Sequence, residues 1–149
     1  MSMGTPPDLA TQAFTIFIRA TPDEIWDAVT RPEFTAGYFH GSRITITAER
    51  RASLAPDGSV RGDTAVELFD PPRRLVHGWR SLYDPAMAAE PESRVTWEID
   101  PNEDGVCLLT VTHDRLEGAP KTAAGVSGAG WTGVISNLKT LLETGEPMH

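Results

Sequence analysis

Phe14-Thr15-Ile16-Phe17-Ile18, followed closely by Thr21-Pro22-Asp23-Glu24-Ile25-Trp26, is the stretch on which the fold turns. Phe14, Ile16 and Ile18 recur at every second position, the period of a strand with one buried face. Thr21 then begins a helix. Its hydroxyl can accept from the backbone N–H of Glu24 while the Glu24 carboxylate reaches back to the N–H of Thr21, and Pro22 occupies the first helical position, where no donor is missed. Ile25, Trp26, Ala28 and Val29 give this helix an apolar side, and Pro32 ends it because its ring disfavours helical geometry at Arg31. A first strand that turns straight into a helix, in a chain that also ends in one, predicts a sheet wrapped around something.

Working outward, a second short helix is expected over residues 33–38, and His40-Gly41-Ser42 breaks the chain before a strand at residues 43–47 with Ile44 and Ile46 on one face. Ala55-Pro56-Asp57-Gly58 has turn chemistry, and residues 60–68 carry enough β-branched side chains to continue the sheet. Asp70-Pro71-Pro72 turns again into a strand in which Leu75, His77 and Trp79 share a face. Residues 84–92 are the longest irregular segment, acidic and punctuated by proline, and read as a mobile loop with Asp84, Glu90 and Glu92 solvated. Val95, Trp97 and Ile99 alternate next, then Cys107, Leu109, Val111 and His113, as a long hairpin. The last element is a helix over residues 123–144, where Trp131, Val134 or Ile135, Leu138, and Leu141 or Leu142 recur at helical spacing and Gly145 caps. Gly125, Gly128, Gly130 and Gly133 each cost about 1 kcal/mol against alanine in a helix interior, so its first turns should be loose.

At 149 residues the chain is about one domain, which buries roughly 68–70% of its unfolded surface without needing staples. A single domain over 1–149 is expected, with 1–11 as a flexible arm. The lone Cys107 excludes an internal disulfide, and His40, His77, His113 and His149 show no metal-ligand spacing. No signal peptide or membrane span is read, so the expectation is a cytoplasmic protein that does not insert into membranes. The net charge of −8, from 13 basic and 21 acidic residues, opposes phosphate backbones, and Arg50-Arg51 and Arg73-Arg74 are the only basic runs. Nucleic acid is not an expected partner.

Five motifs in order, Ala20-Thr21-Pro22-Asp23-Glu24-Ile25-Trp26, Asp70-Pro71-Pro72-Arg73-Arg74-Leu75, Ser93-Arg94-Val95-Thr96-Trp97-Glu98-Ile99, Leu109-Thr110-Val111-Thr112-His113 and Gly130-Trp131, resemble the activator-of-heat-shock-protein-ATPase homologue family, in its bacterial single-domain type. That family belongs to the START-like, helix-grip superfamily. The resemblance implies an α+β fold: a curved antiparallel sheet of about six to seven strands gripping a long C-terminal helix, with two short helices after the first strand and a cavity that often takes apolar or aromatic molecules. It implies no shared reaction. No cofactor is expected. Eukaryotic relatives that stimulate the chaperone ATPase in the stress response join this domain to another, for which this chain has no room.

If the sheet grips the helix, the cavity candidates are His77, Trp79, Trp97, Leu109, Val111, His113, Trp131, Ile135 and Leu138, with Tyr38, Arg80 and Tyr83 at the mouth. Apolar stripes at these spacings are mostly packing. The tryptophans differ because their N–H groups need partners when buried. His77 and His113 could titrate at the cavity, though a hydrogen-bonded structural histidine is the favoured reading. No catalytic or metal-binding residue is assigned. The leading expectation is non-enzymatic binding of a small hydrophobic or aromatic molecule. A protein-interaction or chaperone-activating domain and an enzyme acting in the cavity stay open as alternatives, as does homodimer formation. Burying about 300 Å² of apolar ligand gives roughly 7 kcal/mol against an association cost of at least about 4, so a specific ligand needs polar anchors.

Overall fold

The computed structural model describes residues 4–127 and 129–146. The strand read first is β1 (Gln12–Ile18) and the capped helix is α2 (Pro22–Thr30), preceded by a short α1 (Pro7–Ala10). Both halves of the capping box are present: the Glu24 N–H donates to Thr21 Oγ1 at 3.1 Å, and the Thr21 N–H donates to Glu24 Oε1 at 3.0 Å. α3 (Pro32–Tyr38) follows, then β2 (Arg43–Ile46), β3 (Arg50–Leu54), β4 (Val60–Asp70) and β5 (Arg74–Trp79). A short α4 (Pro85–Ala88) leads to the hairpin of β6 (Ser93–Pro101) and β7 (Cys107–Asp114), and α5 (Pro120–Val126) and α6 (Ala129–Thr144) close the chain. The seven strands form one antiparallel sheet in the order β1-β7-β6-β5-β4-β3-β2. One sheet face and α2, α3 and α6 enclose the core, in which Ile18, Ile25, Leu75, Val95, Leu109 and Leu138 are wholly buried. Trp26 packs edge-on against Phe69 of β4 at 5.1 Å. Among the described residues, no helix is long and apolar enough to cross a membrane.

The structure departs from the sequence reading in four places. β3 was not anticipated as a strand because its inward positions are Arg51 and Ser53, a polar face that gives no hydrophobic alternation. The expected terminal helix is two: α5 ends before Ser127, which is extended at ψ 171°, and α6 resumes at Ala129. Gly130 sits at this joint, where a Cβ would stand 2.9 Å from the Gly125 carbonyl oxygen, so the helices approach as closely as they do only over glycine. Gly128 lies outside the described residues, as do Met1 to Met3 and Pro147 to His149.

The arm expected over residues 1–11 is docked where it is described. The Thr5 N–H donates to the Glu117 carbonyl at 3.1 Å and its hydroxyl to that of Leu116, while Leu9 packs on a small second cluster of Leu116, Ala119 and Ala123. The segment 84–92 is likewise held. Asp84 caps α4 by accepting from the N–H groups of Ala86 and Met87, and Glu90 accepts from the N–H groups of Lys121 (2.9 Å) and Thr122 (2.8 Å) and from the Thr122 hydroxyl (2.7 Å). A carboxylate at the first turn of a helix satisfies donors that the helix itself leaves over.

Candidate functional site

Alternation along β5, β6 and β7 brings His77, Trp97 and His113 onto the sheet face that meets α6, where Trp131 projects between them. Two short hydrogen-bond chains result. Trp97 Nε1–H donates to His77 Nε2 at 3.0 Å, which leaves the proton on Nδ1, and that N–H donates to the Gly78 carbonyl at 2.7 Å. Trp131 Nε1–H donates to His113 Nδ1 at 3.0 Å, so His113 carries its proton on Nε2 and gives it to Ser93 Oγ at 2.7 Å. The Ser93 hydroxyl then faces the Trp79 carbonyl at 3.4 Å. All four imidazole nitrogens are occupied, and both rings are fully buried. Burial, with the charge of Arg51 acting in the same direction, holds His77 well below its ordinary range; burial lowers His113 to about 3. Both are therefore neutral at physiological pH.

In front of this layer lies a cavity of about 390 Å³. Its aromatic wall is Phe39, Trp79 and Trp131: the Trp79 and Trp131 ring centres are 5.5 Å apart, and Phe39 stands edge-on to Trp131 at 5.9 Å. α6 adds Gly130 and Val134, and α5 adds Gly125 and Val126. The opposite side is cationic. Arg51 from β3, Arg61 from β4 and Arg80 just after β5 all line the space, with Ser42, Ser53 and Ser81 between them. The Arg51 guanidinium lies 4.6 Å from the centre of the Trp79 ring and 5.9 Å from that of Phe39. It is 4% exposed and has no hydrogen-bond acceptor or carboxylate partner among the described residues. Burial lowers its pKa to about 10, which leaves it charged at neutral pH. Arg80 Nε is buried and also without an acceptor. Arg61 donates to the His40 carbonyl (2.9 Å) and to Ser42 Oγ (2.7 Å).

Of the residues singled out from sequence, Trp79, Trp131, Arg80 and Tyr83 line this cavity. His77, Trp97, Leu109, Val111, His113, Ile135 and Leu138 lie among the buried residues and are not part of its lining. Tyr38 is turned away, its hydroxyl donating to the Ala28 carbonyl at 2.8 Å, and borders a second depression along α3 and α6. Sequence reasoning missed Arg51 and Arg61. The available signal was strand count: antiparallel pairing of β2 and β4 through one intervening strand places residues 50–54 in the sheet, with Arg51 on the same side as Ile44 and Ile46. Among the described residues, no group of side chains is arranged to hold a metal ion.

Against known proteins, residues 19–143 match the family described as Activator of Hsp90 ATPase homolog 1-like protein. No curated protein matches the chain. Among solved structures, DynU16, a protein in the dynemicin biosynthetic locus, is 27% identical, with a TM-score of 0.74 over 93% of this chain and 49% of its own. MLL2253 from Mesorhizobium loti is 24% identical, with a TM-score of 0.72 over 89% and 96% of the two chains. The Aha1 dimer from Colwellia psychrerythraea is 15% identical, with a TM-score of 0.70 over 91% and 97%. The last two speak to the fold alone, a helix-grip sheet closed by a C-terminal helix, and the family match extends over both the capped junction and the residues of the aromatic wall. The chain belongs to the Activator of Hsp90 ATPase homolog 1-like family.

Proposed function

We propose that this protein binds a small apolar or aromatic molecule in the cavity between its sheet and α5 and α6, and carries out no reaction on it. The observation that carries this reading is the aromatic wall: Phe39, Trp79 and Trp131 are packed against one another yet border an open space of about 390 Å³, within the size range of small-molecule sites. A side chain filling that space would remove the wall's remaining contact with water, and none among the described residues does. The occupied nitrogens of His77 and His113 favour binding over catalysis, because each would have to break a buried hydrogen bond to take a substrate proton. The likeness to DynU16, in a biosynthetic locus, agrees with an organic small molecule as ligand.

The test is native mass spectrometry of the purified protein after exposure to a metabolite extract, with thermal shift against a panel of bicyclic and tricyclic aromatics. A retained mass, or a rise in Tm accompanied by ligand quenching of tryptophan fluorescence, is expected. No retained mass and no shift across the panel overturns the proposal.

A further inference from the structure

The cavity inverts the charge of the molecule around it. The chain as a whole carries 21 acidic and 13 basic side chains, yet the cavity lining holds Arg51, Arg61 and Arg80 and, among the described residues, no Asp or Glu. A buried guanidinium is ordinarily paired, since an uncompensated charge out of water is strongly unfavourable. Arg51 is not paired. Its guanidinium carbon lies over the rings of Trp79 and Phe39, a contact that orients the group and offsets only part of the desolvation cost. Its five donors have no acceptor from the described residues, and the Arg80 Nε donor beside the same space has none either. Arg61 is anchored by Ser42 and the His40 carbonyl and has no carboxylate within ion-pair distance; Asp57, which feels its field, is fully exposed. An unsatisfied guanidinium at the cavity, with a second lining arginine whose Nε is buried without a partner, describes an acceptor that the described residues do not supply.

We propose, resting on the binding function above, that the ligand is an organic acid: a flat apolar body against Trp79, Trp131 and Val134, with a carboxylate taken by Arg51 and Arg80. The chemistry fits on both sides. A guanidinium fork matches the two oxygens of a carboxylate, and in a site shielded from water such charge-assisted bonds are about twice as strong as neutral ones. They also supply the polar anchors that apolar burial alone lacks. Three arginines with no acid in the lining focus a positive potential on the cavity, which draws anions toward a molecule whose overall charge repels them.

Isothermal titration and tryptophan quenching with 2-naphthoate and its neutral isostere 2-naphthamide test the idea. The acid is expected to bind about 10- to 100-fold more tightly than the amide, with a preference that shrinks as salt is raised. Arg51→Met removes that preference while raising the melting temperature of the free protein, a pairing that a merely structural arginine does not produce. Arg51→Lys keeps the charge but not the fork and retains a reduced preference; Arg80→Gln, at a half-buried position, reduces it independently. Equal affinity for acid and amide overturns the anion inference and leaves the binding function standing. Binding of neither probe at millimolar concentration overturns both.

Discussion

The two sides of Trp79 are built on opposite terms. Behind it, Trp97, His77, Trp131, His113 and Ser93 form a layer in which each indole N–H and imidazole nitrogen has a partner at 3.0 Å or less. In front of it, Arg51 presents donors with no acceptor among the described residues, and Arg80 Nε is buried without one. Both sides are polar and buried, but only the first is complete. A satisfied buried network specifies and rigidifies a core, whereas an unsatisfied one costs stability and persists where a ligand completes it.

That contrast can be broken most directly from behind. His113→Leu leaves the Trp131 N–H and the Ser93 hydroxyl buried without their partner, and a loss of about 3 to 5 kcal/mol is expected in urea denaturation; a loss under 1 kcal/mol would show that the layer is not the framework described. The same layer sets a pH dependence. Each histidine has its pKa depressed on folding, so above about 6.5 both states are neutral and nothing changes. Below that the unfolded chain takes up protons that the fold excludes, and stability falls as pH drops toward the folded value of about 3 for His113. For His113 about 1 kcal/mol should disappear between pH 7 and 5.5, with His77 adding in the same direction, measured by denaturant midpoints, and a flat profile there would contradict neutral buried imidazoles.

From the front, the sign reverses. The fall in the Arg51 pKa from its ordinary value to about 10 corresponds to roughly 3 kcal/mol against the charged form. Arg51→Met should therefore stabilise the free protein by about 1 to 3 kcal/mol, and a destabilised variant would mean that the aromatic stacking outweighs the burial cost. The smallest effect calibrates the others: Thr21→Ala, in neither region, removes one half of the capping box and should cost about 1 kcal/mol in the same assay.

The difference between the two sides also governs what the sequence discloses. Thr21, Pro22 and Glu24 announce a helix because capping is local, and the back layer announces itself because His77, Trp97 and His113 keep the period of strands whose other inward members are apolar. The front does not. Arg51 and Ser53 alternate inward on β3, but a polar inward face looks like a solvated one until the strands on either side are in place, and Arg50-Arg51 reads as a surface basic pair. The joint between α5 and α6 was visible as a run of glycines; that they permit a close crossing rather than a frayed helix depends on Gly125 and Gly130 meeting in space. The cavity lies where all these non-local facts coincide.

Glu90 has a consequence for what can reach that cavity. Its carboxylate ties the segment that follows Arg80 and Tyr83 to the start of α5, whose far end supplies Gly125 and Val126 to the facing wall. The lining residues Ser81, Tyr83, Gly125 and Val126 thus belong to one hoop of chain, fastened at Glu90, which is not itself part of the lining, rather than to two independent segments. A fastened hoop resists spreading, so the width of what the cavity takes is set apart from any preference for charge or aromaticity.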